Sequence, residues 1–511
     1  MLSRFGVLAA VEEKKNAKMV SLSEGNEVRR DGWQEVGVLH MTCEVGEPSQ
    51  RDPMEERGYQ FVDSLEGNMS RASNLASVLT KQQRIASLSR QSLEGPITSL
   101  NQCLDLEWMK GAWDKVNVKG SPGADGKSAA DFELDLSRNL ESLIDSAKSG
   151  SYKAPPVKRA WIPKNSHECR PIGLPTVADK CLQRAVVMLL EPIYETDFLD
   201  CSFGFRPGRG CHQAIDEIRR QMMAMQRGTI IEVDIRKFFD EMSHQHLRSF
   251  LKERIADGVV LRLIDKWLKA GVLENGAVQR SEVGSIQGGV ISPILANIYL
   301  HHVLDRWFEN EVKPRLAGSG FLVRYVDDFV MGFSDVKDAE RVFEVLGKRF
   351  AKFGLRLHPD KTRIIPFHRP PRGINKSDKT SGSFDFLGFT LYWHRAYKGF
   401  WYVNAQTASS RLSRSLRKIN EWCRKNRHMR PRSLLLRFWQ KIAGHVNYFG
   451  IRGNSLRVSR FQYFAILILF KWMRRRTNKG KMTYERLKSL IQRFPPPRMH
   501  TTFQTQQLAK P

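Results

Sequence analysis

Paired cysteines are missing from this sequence. Its seven cysteines, Cys43, Cys103, Cys169, Cys181, Cys201, Cys211 and Cys423, are scattered with no C-x₂-C among them, which argues against a disulfide framework and against a structural zinc site. A membrane-spanning run is missing too: the strongly apolar residues 464–470 fall far short of the about 20 residues a spanning helix needs, and they read as core. Residues 5–11 are apolar, but they are brief and soon meet Glu12-Glu13-Lys14-Lys15, a poor signal peptide. A cytoplasmic protein with no membrane partner is expected. Acidic residues are in short supply, 54 Asp and Glu against 82 Lys and Arg, so the formal charge of +28 calls for a polyanionic partner. The shortage is uneven. Residues 1–90 hold 12 basic and 13 acidic side chains, whereas residues 406–493 hold 23 Lys and Arg against Glu421 and Glu485 alone.

What the chain does contain is led by residues 321–333, FLVRYVDDFVMGF, two apolar β-rich runs around a polar tip. The simplest reading is a β-hairpin with Asp327 and Asp328 at its turn. Adjacent aspartates are also ordinary turn chemistry, so the pair needs a third carboxylate to mean more. Residues 229–240, TIIEVDIRKFFD, supply one: a strand-like run ends in Asp234, and an aromatic pair follows. Asp234 with Asp327 and Asp328 would bind two Mg²⁺ about 4 Å apart, the arrangement for in-line phosphoryl transfer.

These two stretches resemble the catalytic blocks of reverse transcriptases, and residues 284–293, GSIQGGVISP, resemble the family's Gln-Gly block in the same chain order. The nearest resemblance is to the bacterial group II intron-encoded reverse transcriptases, or maturases. It runs from about residue 100 to residue 493. It implies an α+β right-hand polymerase, with fingers and palm followed by an α-helical thumb and maturase domain X. It also implies attack of a primer 3′-hydroxyl on a dNTP, with Asp234, Asp327 and Asp328 as metal ligands and the backbone carbonyl of Ile235 as a further one. By the same resemblance Lys164 and Arg170 hold the triphosphate and Gln287 lies with the nucleotide. The ring of Phe239 lies under its sugar, and Lys361 stands near the pyrophosphate leaving group. Ordinary surface and core roles remain open for each.

Residues 202–210, SFGFRPGRG, interleave Arg206 and Arg209 with two aromatics, a pattern that suits an RNA template, although a structural loop remains open. Residues 384–389 resemble the block that grips the primer end. Residues 444–451 and Trp472-Met473-Arg474-Arg475-Arg476 resemble domain X, which implies that Arg474, Arg475 and Arg476 contact RNA. The implied partners are group II intron RNA, an RNA or DNA template with its primer, dNTPs and target DNA. The Cys-pair and His-rich endonuclease of many intron proteins is not found after domain X.

Two departures stand out: Val326 occupies a position that is usually alanine, and Ser285-Ile286 replaces the customary Thr-Pro. They leave room for a domesticated relative acting in DNA repair and for a splicing factor that only binds RNA. The spacing predicts helices over 104–116, 179–194, 247–272 with a break near Gly258, 292–308 and 336–353, and loops over 119–126 and 369–383. The expected domains are a poorly ordered extension over 1–90, with helix from about Arg71, fingers and palm over 91–395, thumb and domain X over 396–495, and a tail over 496–511.

Overall fold

The computed structural model describes residues 62–501 apart from 92–94, 119, 164–168, 226, 275–276, 280–282, 285–287, 372–381, 477–481 and 500. Lys164, Gln287, most of the expected N-terminal extension, most of the 369–383 insert and most of the tail therefore lie outside the described residues. The helix expected from Arg71 begins earlier, as α1 (Val62–Gln91).

The first region is helical and then forms a small sheet. Asp105 accepts the Trp108 amide and starts α2 (Leu106–Trp113), whose Trp108 indole donates to the Ala185 carbonyl at 3.0 Å. Helices α3 (Ala129–Glu133) and α4 (Leu136–Ser149) follow, the second closed by Gly150 at φ 82°. Strands β1 (Val157–Pro163) and β2 (Cys169–Leu174) pair antiparallel, with Arg170 opposite Ile162. Next comes α5 (Val177–Tyr194), buried on nearly every face, so it is the central helix of this half of the molecule.

The palm is built from α6 (Cys211–Met225), β3 (Thr229–Arg236), α7 (Phe238–Glu241), α8 (His244–Arg254) and α9 (Gly258–Lys269). The break expected near Gly258 falls there because Asp257 accepts the Val259 and Val260 amides and starts a new helix. Strands β4 (Val272–Glu274) and β5 (Ala277–Gln279) return to the first sheet, whose order is β2-β1-β4-β5. Helix α10 (Ser292–Leu300) runs on through two π-turns, His301–Asp305 and Phe308–Val312, longer than the expected 292–308. Strands β6 (Gly320–Tyr325) and β7 (Asp328–Phe333), helix α11 (Val336–Lys352), and strands β8 (Arg356–Leu357) and β9 (Arg363–Pro366) complete it. The palm sheet runs β6-β7-β3-β8, with β9 also paired to β3.

The last region opens with β10 (Phe384–Phe386), β11 (Phe389–Arg395) and β12 (Trp401–Thr407) in one sheet. Helices α12 (Ser409–Asn426), α13 (Pro431–Phe449), α14 (Ser455–Arg474) and α15 (Tyr484–Arg493) follow. The α+β architecture with a helical C-terminal region is as expected.

Strand alternation divides the core in two. Ile231, Val233, Phe329 and Met331 face a core shared with α5, α8 and α10, while Ile230, Val323 and Val330 face a second one. That second core also contains Leu435, Phe438, Phe461 and Leu469 of the C-terminal helices. The palm sheet and the C-terminal helices therefore share one interior. The domain division drawn at residues 395–396 passes through the β11–β12 hairpin.

Candidate active site

The register of the palm sheet brings the sequence-distant aspartates together. Asp234, near the end of β3, is paired directly with Asp328, the first residue of β7. On the other edge Asp328 pairs with Tyr325, leaving Val326 and Asp327 as a two-residue turn. Val326 takes φ 58°, as the first central residue of a type II′ turn does, a place that normally goes to glycine. A β-branched residue there is strained. Its side chain is buried, and Gly204 is what makes room: a Cβ at Gly204 would stand 2.6 Å from Val326 Cγ2. Strand alternation does not carry through the turn, and the methyl groups of Val326 point into the core rather than stand free in the cleft.

A buried polar network fixes that turn. Arg324 is fully buried, and its guanidinium meets Asp305 with two bonds, Nε to Oδ1 at 2.7 Å and Nη2 to Oδ2 at 2.5 Å. Its other donors reach Asn297 Oδ1 at 2.9 Å, Ser202 Oγ at 2.8 Å and the Val326 carbonyl at 3.2 Å. Asn297 in turn donates to the Gly204 carbonyl at 2.7 Å. The backbone of Arg324 bonds to Cys201 and Phe203. A buried charge is tolerable when it is paired and its donors are satisfied, and here the bonds to Asp305, Asn297 and Ser202 also tether helix α10 and the loop before α6 to the hairpin. Sequence reasoning missed this set. Arg324, on a strand beside the catalytic pair, gave no sign that its partner lies in a helix that reads as apolar.

The electrostatics of the three carboxylates follow from crowding. Burial, then the charge of Asp234, raises Asp327, partly opposed by Arg170 and Arg324. Asp328 reaches solvent, yet crowding by protein atoms and the charges of Asp327 and Asp234 push it up to about 6. Arg411 of α12 and Arg170 of β2 act on it in the opposite sense, so cations from both flanking regions border the cleft. Lys361 donates to Asp234 Oδ2 at 2.7 Å. Among the described residues no three His, Cys, Asp or Glu side chains are gathered as a ready metal cage, the aspartates included. They nevertheless suit divalent cations: oxygen donors only, negative in sum, with the proton affinities of Asp327 and Asp328 raised by burial and neighbouring carboxylate charge.

The other expected residues are placed as follows. Arg170 lies exposed on β2. The Ile235 backbone pairs with Leu357 of β8. Phe239 follows Lys237, which takes φ 44°, and is half-buried with its ring 5.2 Å edge-on from Phe238. The Arg206 guanidinium is buried, paired with Glu195 and bonded to the Leu199 and Ser202 carbonyls at 2.7 and 2.9 Å, so it holds its own loop. Arg209 is ion-paired with Asp200 and lies over Phe203 at 5.5 Å. Phe205 is 65 % exposed beside Tyr325, the free aromatic of that loop. Arg474 lies over Phe470 at 5.6 Å and Arg475 over Trp472 at 5.3 Å, both exposed, while Arg476 is half-buried. No described helix is long and apolar enough to cross a membrane.

Residues 162–391 match the family described as reverse transcriptase (RNA-dependent DNA polymerase). Protein YkfC of Escherichia coli K12 is 34% identical over 295 residues, 50% of this chain and 76% of that protein. The group II intron-encoded protein LtrA of Lactococcus lactis subsp. cremoris is 38% identical over 248 residues, which span 46% of this chain but 40% of LtrA. The nuclear intron maturase 2 of Arabidopsis thaliana is 27% identical over 268 residues, 45% of this chain and 32% of that protein. With the family match over residues 162–391 and a relative 34% identical that the chain covers to 76%, this chain belongs to the reverse transcriptase family, within the group that includes the group II intron-encoded proteins.

Proposed function

We propose that the chain is an RNA-directed DNA polymerase that also binds a group II intron RNA and assists its splicing and mobility. The observation that supports this most directly is the strand register that sets Asp234 opposite Asp328 with Asp327 in the adjoining turn. Asp234, Asp327 and Asp328 would hold two Mg²⁺, whose chemistry there is to acidify the primer 3′-hydroxyl and offset charge growing on the α-phosphate. Arg170 would meet the triphosphate from β2, with Lys164 beside it, and Gln287 would lie against the nucleotide. Lys361, ion-paired with Asp234, would release that carboxylate to metal and turn to the leaving pyrophosphate. Phe239 would bar a 2′-hydroxyl. The exposed basic face of α12 to α15 would take the RNA, with template, primer and target DNA as the other nucleic-acid partners.

A domesticated repair polymerase would use the same site, whereas a purely binding splicing factor would have no use for three coupled carboxylates. Primer extension and RNA affinity measured on one Asp327→Asn protein separate these readings. Extension should fall about 10³-fold, the equivalent of several kcal/mol, with RNA affinity unchanged. Undiminished extension would remove the hairpin from the mechanism.

A further inference from the structure

We infer that the groove between the loop 150–154 and helices α8 and α9 is a second RNA-binding surface, distinct from the catalytic cleft. This rests on the proposed reading that RNA is the protein's partner, and it adds a site to that reading. The groove encloses about 1450 Å³, above the roughly 300–1,000 Å³ of small-molecule pockets, so it has room for several linked units of a polymer. None of the three aspartates, nor Lys361, Arg170 or Phe239, lines it.

Its chemistry is cationic by construction. On α9, Arg262, Lys266 and Lys269 recur at spacings of four and three, so they share one stripe, while Val260, Leu263, Ile264, Trp267 and Leu268 bury the opposite face. Two of the cations in the groove serve its architecture. Lys266 donates to the Gly150 and Tyr152 carbonyls, each at 2.6 Å, and so fastens the loop to the helix; Arg248 is paired with Asp265 at 2.5 Å. The Trp267 indole and the Tyr152 hydroxyl both hold the buried Asp179, the indole at 2.6 Å, so the wall is rigid before any ligand arrives. Lys153, Arg262 and Lys269 are exposed and form no ion pair among the described residues. Asp265, the lone carboxylate in the lining among the described residues, is already answered by Arg248. Ser243, which caps α8, and His244 and Gln245, its first residues, open into the same space, adding the positive end of a helix of eleven residues to the three exposed cations. Polyanion follows from the charge, and linked phosphates follow from the size. RNA is the polyanion that the family and the basic C-terminal helices already call for.

The test is a Lys153→Gln, Arg262→Gln, Lys269→Gln triple variant of the full chain, beside a triple that keeps charge, Lys153→Arg, Arg262→Lys, Lys269→Arg. Binding of a single-stranded RNA oligonucleotide is measured across a salt series. Loss of three phosphate contacts should make the slope of log K against log salt shallower by about 2, with affinity down on the order of tenfold, and the charge-keeping triple should match wild type. Extension of a short preannealed primer–template should stay within about twofold. Unchanged slopes in a folded Gln triple overturn the proposal, and so does extension that falls in step with RNA affinity, which would assign the groove to the polymerisation path. If the triple loses its thermal transition, the single Lys153→Gln and Lys269→Gln variants decide, each expected to shift the slope by about 0.7. An identical series with DNA reveals whether the strand's sugar matters; tighter binding of DNA than RNA would contradict the assignment. Failure of wild-type protein to extend any primer would sink the polymerase reading and leave this measurement intact.

Discussion

At the palm hairpin three carboxylates crowd together and Lys361 is the one ion-paired to them among the described residues, whereas residues 406–493 carry 23 Lys and Arg against two Glu. The two regions share an apolar core but solve opposite electrostatic problems. Like charges that must sit at fixed separations need a scaffold, and the hairpin has one in Arg324, Asp305, Asn297 and Ser202, all buried. Cations that need only meet a polyanion can stay in water. On α12 to α15 they do, several lying over rings, as with Arg427 and Arg475 over Trp472 and Lys441 over Trp422. Positional precision belongs to the first region and total charge to the second.

The largest contrast should come from removing one cation in each. Arg324→Ala leaves Asp305 charged and buried without its partner, a change that costs about 3–5 kcal/mol. Arg475→Ala removes an exposed cation over a ring and should cost less than about 1 kcal/mol. Denaturant unfolding of both variants measures this, and equal losses would erase the contrast. Arg324→Lys should recover part of the stability but not the forked geometry, so kcat for extension should stay depressed at saturating dNTP. Full recovery would mean that only the charge matters at the hairpin as well.

The crowded carboxylates also predict how the site responds to pH. Asp328, raised to about 6, holds a proton in the folded protein that the unfolded chain, at about 3.9, has already lost. In metal-free protein this contribution favours folding at low pH and is lost as pH rises through about 6. Divalent metal must displace the same proton, so the Mg²⁺ concentration for half-maximal extension should climb by up to about tenfold per unit as pH falls below about 6. Mg²⁺ titrations of extension on either side of that pH give the answer, and a metal requirement independent of pH would mean that Asp328 is not a ligand.

At the edge of the site, Phe239→Ala should raise ribonucleotide relative to deoxyribonucleotide incorporation, on the order of tenfold for a lost steric contact. Competition between the two substrates reads it. An unchanged ratio would return the half-buried ring to the hydrophobic core, where Phe238 is its neighbour.

Much of the palm was legible because its signals are local. Asp234 lies near the end of one apolar strand, Asp328 begins another and Asp327 sits in the turn before it, and the period of two that marks those strands is the one that divides the core. Asp257 and Asp105 announce their helices by capping chemistry. What escaped depends on contacts distant in sequence. Arg206 has the composition of a template contact, and only the fold shows that Glu195 and two carbonyls claim it. The basic segment reads as a separate grip, yet Asn454 donates to Thr407 and to the Phe449 carbonyl at 2.8 Å and ties α14 back to β12. A truncation before Gln406 would therefore cut a shared core, and neutralising surface arginines is the cleaner way to remove the charge.

Val326 should give the smallest effect, and the turn explains why. Its methyl groups are buried against Gly204 and do not stand in the cleft. Val326→Ala removes two buried methyl groups, a loss of about 1–2 kcal/mol. It also relieves a β-branched side chain at φ 58°, where strain is of order 1–3 kcal/mol. The two terms oppose each other, so the net change should lie within about 1 kcal/mol, with extension of long and short primers equal to wild type. Gly204→Ala is the informative partner, because its new Cβ would meet Val326 Cγ2 at 2.6 Å and the Val326 amide nitrogen at 2.7 Å, pushing on the turn that carries Asp327. That variant should lose extension while Val326→Ala does not, and the double variant should recover part of it by removing Cγ2. A Val326→Ala protein that discriminated between long and short primers at unchanged stability would place the side chain at the primer after all.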